Sequence, residues 1–209
     1  MSFDIRCEVV GPVETNCYYV INTATKETIV FDPGDSGDEL AAQMRKEMLI
    51  PVAILLTHGH FDHILGIPEF RKSFPVPVYA HEEEEEVLAN ANLNSSGMIG
   101  RRISMKADHY LKDGDILNLA GLKIQVLFTP GHTKGGVSYY MEELHTVICG
   151  DTLFQNSVGR TDFPTGSMGT LVKSIREKLF TLDDDVTVLP GHGPKTTIGW
   201  EKQYNPFVN

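Results

Sequence analysis

His58, His60, Asp62 and His63 fall within six consecutive residues, directly behind the apolar run Val52-Ala-Ile-Leu-Leu56. Imidazole nitrogens and carboxylate oxygens are the donors that first-row divalent metals accept. In extended backbone alternate residues point the same way, so His58 and His60 can face one ion. Four donors this close cannot surround a single ion, because the backbone between them is too short. Two adjacent ions can share them. The chain has eight histidines in all, and three of them packed behind a buried strand read as a site and not as a polar turn.

The elements that must position these donors are legible in order. Val52–Leu56 is short and continuously apolar, as suits a strand buried on both faces. Asp62 is placed to cap a helix from Ile64 to Phe70. Upstream, Cys17–Ile21 and Thr28–Phe31 are β-rich and flank the polar segment Asn22–Glu27, which predicts an antiparallel pair. Asp32-Pro-Gly34 ends the second strand, and Leu40, Met44 and Met48 give Asp38–Leu49 helical spacing. Strand, helix and strand then follow as a right-handed crossover requires. Downstream, Pro77–Ala80 predicts a strand and the glutamate run 82–86 the solvated first turn of a helix. Residues 92–108 read as a long loop, a common kind of binding wall. Leu122, Ile124, Val126 and Phe128 alternate onto one face. Val137–Tyr140 and Thr146–Cys149 form a strand pair, Thr170–Phe180 a helix and Val186–Leu189 a last strand.

Where these strands stop, metal-type residues appear. His132 follows Thr129-Pro-Gly131, Asp151 follows Gly150, His192 follows Pro190-Gly191, and Asp32 ends the early strand. Chemistry gathered at one end of packed strands is the α/β habit. The candidate ligands are His58, His60, Asp62, His63, His132, Asp151 and His192. They are too many for one tetrahedral ion and suit two, with Asp151 as the natural bridge because a carboxylate has two oxygens. Asp32 stands where it can orient a ligand histidine. His81, His109 and His145 are expected at the surface or in packing.

Composition bounds the rest. A chain of 209 residues with 41% hydrophobic and 22% charged residues is expected to form one soluble domain over 1–209. A formal charge of -10 argues against nucleic-acid binding. No apolar run approaches the ~18 residues of a membrane span. The start, Met1-Ser-Phe-Asp-Ile-Arg6, carries acid and base where a signal peptide would be apolar, so a cytoplasmic protein is expected. Cys7, Cys17 and Cys149 are expected to be buried thiols and not disulfides.

The HxHxDH stretch resembles the signature of the metallo-β-lactamase superfamily. That resemblance implies an α/β, four-layer αββα sandwich. It assigns His58, His60 and His132 to one metal and Asp62, His63 and His192 to the other. Gly150-Asp-Thr-Leu-Phe154 and Gly159-Arg-Thr-Asp162 are similar to the GDTLF…GRTD segment of glyoxalase II-like hydrolases, and the tail from Gly191 to Phe207 resembles short bacterial members of that group. The resemblance implies hydrolysis of hydroxyacyl-glutathione thioesters by a hydroxide bridging two divalent ions. Zinc is the expected metal, and iron and manganese accept the same donors. Asp62 is the expected catalytic residue, orienting the hydroxide through its free oxygen. Arg160 lies where longer glyoxalase II enzymes carry a basic residue that contacts glutathione, so it is a candidate substrate contact, and a local ion pair with Asp162 is the alternative. The chain runs only 17 residues beyond His192, so no C-terminal helical glutathione-binding domain is expected. Persulfide dioxygenases share HxHxDH and a similar GRTDF but use one iron. Lactonases use a dinuclear site. Class B β-lactamases usually carry cysteine where Asp151 stands.

Overall fold

The computed structural model describes residues 2–208. Two six-stranded sheets lie face to face. The first runs β1 (Phe3–Val10), β2 (Thr15–Asn22), β3 (Glu27–Phe31), β4 (Ile50–Leu55), β5 (Val78–His81) and β6 (His109–Leu111) in spatial order. Its first three strands are antiparallel, and β3 to β6 are parallel. The second comprises β7 (Ile116–Leu119), β8 (Leu122–Phe128), β9 (Val137–Met141) and β10 (Thr146–Gly150). A small hairpin of β11 (Leu153–Phe154) and β12 (Ser157–Val158) follows. Then β13 (Thr187–Pro190) returns parallel to β10, with β14 (Thr196–Thr197) at the edge.

Alternation along each strand builds three apolar layers. Tyr18, Val20, Ile29, Phe31 and Leu55 of the first sheet meet Leu122, Ile124, Val126, Tyr139 and Ile148 of the second. Phe31 and Tyr139 touch edge to face across that gap with ring centroids 5.6 Å apart. Tyr19, Ile21, Val30 and Ile54 turn outward onto α1 (Gly37–Lys46) and α3 (Ile67–Ser73) through Leu40, Met44, Ile67 and Phe70. The other outer face packs on α5 (Met168–Ser174), the π turn Ile175–Leu179 and α6 (Ile198–Tyr204). Helix, sheet, sheet and helix make the four-layer αββα sandwich that the motif implied. Each large side chain fully buried here contributes ~1.5–3 kcal/mol. Tyr139 adds a polar tie, donating its hydroxyl to the Leu56 carbonyl at 2.7 Å and fixing the chain just before the histidines.

Local readings needed revision in four places. Asp62 is not a helix cap. It lies inside the short helix α2 (Phe61–Ile64), which His60 precedes in extended conformation. The helix breaks at Leu65-Gly66 and restarts as α3, with Pro68 in its first turn. Gly66 is pressed against the backbone of Pro33 and Asp35, so the chain turns there to follow the Asp32-Pro-Gly34 loop. Helix α1 stops at Lys46; Met48 takes a left-handed φ of 57° and is exposed, while Leu49 turns inward. Cys17 and Cys149 are buried free thiols, but Cys7 is exposed. In the glutamate run, Glu84 is fully buried and precedes α4 (Glu85–Ala89). Among the described residues no helix is long and apolar enough to cross a membrane.

Candidate metal centre

Strand β4 ends at Leu55, and the chain enters the open segment Leu56–His60 that carries His58 and His60. β8 leads to His132, β10 to Asp151 and β13 to His192. All four loops open at the same end of the sandwich. His58, His60 and His132 form one group whose donor atoms lie within 4.8 Å of one another, and Asp62, His63 and His192 form another. His58, His63 and Asp151 form a third group that overlaps the first two. Asp151 faces both halves: its Oδ2 is 3.5 Å from His132 Nε2 and 3.6 Å from His192 Nε2, and its Oδ1 is 3.5 Å from His63 Nε2.

The imidazoles are aimed by what holds their far nitrogens. Nδ1 of His58 meets Thr57 Oγ1 at 3.1 Å, and Nδ1 of His63 meets Asp32 Oδ2 at 2.9 Å. Nδ1 of His132 meets the Arg160 carbonyl at 2.7 Å, and Nδ1 of His192 the Glu14 carbonyl at 3.2 Å. Each of these rings therefore turns Nε2 inward, as metal-ligating histidines do. His60 Nδ1 stands 2.8 Å from His132 Nε2, close enough that a proton or a shared cation must lie between them. His58 Nε2, His60 Nε2, His63 Nε2 and Asp151 Oδ1 are buried without a hydrogen-bond partner. Orphaned buried donors and acceptors are rare in folded proteins. Convergent ones of this N/O chemistry fit divalent metal.

Electrostatics divides the centre in two. Burial, reinforced by neighbouring imidazoles, drives His58 well down and His60 down to about 3, so both are neutral and have a free lone pair. Burial opposes charge on His63 as well, but Asp62, Asp32 and Asp151 outweigh it and push this residue up. Burial would raise Asp62 and Asp151, yet His63 above all holds Asp62 at about 2 and Asp151 lower still. The acid-rich half thus demands positive charge and the histidine half offers lone pairs.

Several supporting residues were silent in the sequence. Thr15 Oγ1 donates to Asp62 Oδ2 at 3.0 Å. Asn16 Nδ2 holds the carbonyls of Pro190 and Gly193, both at 2.9 Å, which shapes the His192 loop. These partners are far apart in sequence, so no local pattern announces them. A Cβ on Gly191 would sit 2.2 Å from Asp151 Oδ1, which explains glycine in that loop. Glu84 did have a signal: it shares one helical face with Val87 and Leu88. Burial pushes Glu84 up to about 7 against hydrogen bonds from Gly59, Thr133 and Gly135.

A cavity of about 440 Å³ opens over the centre, walled by Val13, Phe61, Phe154, Val158 and Phe163 beside the histidines and aspartates. Arg160 reaches this cavity, but its Nε and NH2 groups each donate to Asp162 at 2.7 Å, and its guanidinium lies 3.9 Å from the centre of the Phe163 ring. The other three histidines are elsewhere. His81 is buried, accepts from Glu83 N–H and stacks on Phe128; His109 stacks on Tyr79; His145 sits in an exposed turn.

A two-sheet αββα sandwich with histidines and aspartates clustered at its strand ends defines a class built to hold divalent ions. Within it the chain belongs to the metallo-beta-lactamase superfamily, whose sequence model matches residues 10–192. It is 45% identical over 202 residues to "Probable metallo-hydrolase YqgX" of Bacillus subtilis, covering 96% of this chain and 95% of that one. It is 36% identical over 190 residues to "Hydroxyacylglutathione hydrolase GloC" of Haemophilus influenzae, covering 88% of each. Among solved structures it is similar to the BLEG-1 B3 metallo-beta-lactamase, with TM-score 0.94, 41% identity and coverage of 99% and 100%. It is also similar to TTHA1623 in a di-iron-bound form, with TM-score 0.86, 36% identity and coverage of 97% and 99%.

Proposed function

We propose that this chain is a metallo-hydrolase that cleaves hydroxyacyl-glutathione or related small-molecule thioesters, using two divalent ions held by His58, His60 and His132 and by Asp62, His63 and His192, with Asp151 between them. The observation that carries the metal reading is the convergence of these side chains into groups whose donor atoms lie within 4.8 Å, with His58 Nε2 and His63 Nε2 buried and unpartnered and Asp151 Oδ2 within 3.6 Å of His132 and His192. Divalent ions bound there lower the pKa of water to roughly 7 and polarise a carbonyl oxygen. Everything else falls to the chain. Asp62, held ionised by His63 and His192, accepts a hydrogen bond from the attacking water and fixes its direction. Val13, Phe61, Phe154 and Phe163 wall the acyl group from bulk solvent.

What the cavity lacks supports the thioester. Its polar lining consists of candidate ligands, Ser157 and the ion-paired Arg160. None of these is a spare acid able to protonate an amine. A thiol, with pKa of about 8.5, leaves without one. The 36% identity to a protein named hydroxyacylglutathione hydrolase supports the same substrate class. Zinc is our proposed metal, and the likeness to a di-iron form keeps iron in the comparison. Elemental analysis of protein saturated with metal should approach two ions per chain and fall in Asp151→Ala. One ion per chain, together with oxygen uptake on a persulfide, would favour the dioxygenase reading, which the Gly159-Arg-Thr-Asp-Phe163 segment beside the cavity suggests.

A further inference from the structure

Glu84 is the one member of the glutamate run that points into the protein, and it ends between the two loops that carry the three-imidazole group. Its Oε1 accepts the Gly59 N–H at 2.7 Å, the amide between His58 and His60. Its Oε2 accepts the Thr133 hydroxyl at 3.0 Å, one residue beyond His132. The Gly135 N–H also donates to this carboxyl. Gly135 admits that approach because it has no side chain: a Cβ there would lie 2.4 Å from Oε2. One buried carboxyl thus ties a loop of the first sheet to a loop of the second.

We infer that Glu84 is a positioning residue that sets the spacing of His58 and His60 against His132 and thereby tunes the affinity of that metal position alone. The other position is held by different ties, Asp32 to His63, Thr15 to Asp62 and Glu14 to His192. Glu84 touches none of them. The inference rests on the metal reading above and adds that this tie reaches the His58, His60 and His132 position and not the other one. Gln at this site fits the space but cannot serve the same donors. With its oxygen on the Gly59 N–H, its NH2 stands where Oε2 of the ionised carboxyl accepts the Thr133 hydroxyl, so one of the two cross-loop ties loses its acceptor.

Cobalt(II) titration of apo protein, followed by its absorption bands and by calorimetry, tests this without an activity assay. Wild type should bind two ions. Glu84→Gln should weaken one step by about ten- to a hundredfold and leave the other within about twofold, the scale seen when a ligand's supporting partner is removed. Thr133→Val, which deletes one of the ties and leaves the carboxyl in place, should weaken the same step by less. Equal weakening of both steps, or no change in either variant, overturns the positioning role while leaving the metal reading intact. Wild type that binds no cobalt overturns both.

Discussion

Replacing Asp32 with Asn tests the support of the other half of the centre. Asp32 is buried and accepts three hydrogen bonds: Thr57 N–H at 2.8 Å on Oδ1, and Thr57 Oγ1 at 2.6 Å and His63 Nδ1 at 2.9 Å on Oδ2. An Asn must keep its oxygen at the Oδ1 place, because the Thr57 amide can only donate. Its NH2 then faces Thr57 Oγ1 and His63 Nδ1. The threonine hydroxyl turns to accept. His63 can accept only by moving its proton to Nε2, the nitrogen 3.5 Å from both Asp62 and Asp151. A protonated Nε2 has no lone pair for a metal. Losing the orienting partner of a ligand histidine costs about ten- to a hundredfold in affinity, or ~1.4–2.7 kcal/mol. Calorimetric titration with zinc or cobalt should therefore show the Asp62, His63 and His192 step weakened by that factor, and the step at His58, His60 and His132 weakened by less, through the Thr57 hydroxyl that meets His58 Nδ1. Affinities within twofold of wild type at both steps would refute the tautomer argument, and so would an equal loss at both.

Asp62→Asn keeps the shape of the site acid and removes its charge, so kcat should fall by more than KM rises in steady-state kinetics. Arg160→Met should raise KM with little change in melting temperature, since both partners of its ion pair are largely exposed; a large fall in melting temperature with KM unchanged would make the pair structural only. Glu84 gives a pH signature. Its folded value, about 7 against an ordinary 4.5, means the folded chain keeps a proton that the unfolded chain has released across that window. Stability should therefore fall as pH rises from about 4.5 to 7, by ~3 kcal/mol from this group. Denaturant melts of Glu84→Gln should lack that component of the slope, and identical slopes would count against it.

The legible part of this protein was the part encoded locally. The expected strand at Val52–Leu56 is β4, Ile50–Leu55, and the alternating Leu122–Phe128 is β8; the sandwich follows from where such strands put their side chains. The clustered histidines and the strand-end residues His132, Asp151 and His192 announced themselves by residue type and position. What escaped depends on contacts between distant segments. Asp62 looked like a helix cap because the tight packing of Gly66 on Pro33 and Asp35, which splits the helix, cannot be seen in one segment. Thr15 and Asn16 carry no local signal, because their partners Asp62, Pro190 and Gly193 lie far along the chain. Glu84 looked like one more solvated acid, although its spacing from Val87 and Leu88 put it on the buried face. Cys7 lies on β1, the edge strand of its sheet, and position at an edge is a property of the sheet and not of the strand.

The most direct test is to compare hydrolysis of S-lactoylglutathione with that of the matched amide by metal-saturated protein, with a β-lactam as a third substrate and chelated protein as the blank. With no spare acid in the cavity to protonate a leaving amine, kcat/KM for the thioester should exceed that for the amide by several powers of ten and vanish on chelation. Comparable values for thioester and amide, a β-lactam cleaved faster than the thioester, or activity that survives chelation would contradict the account.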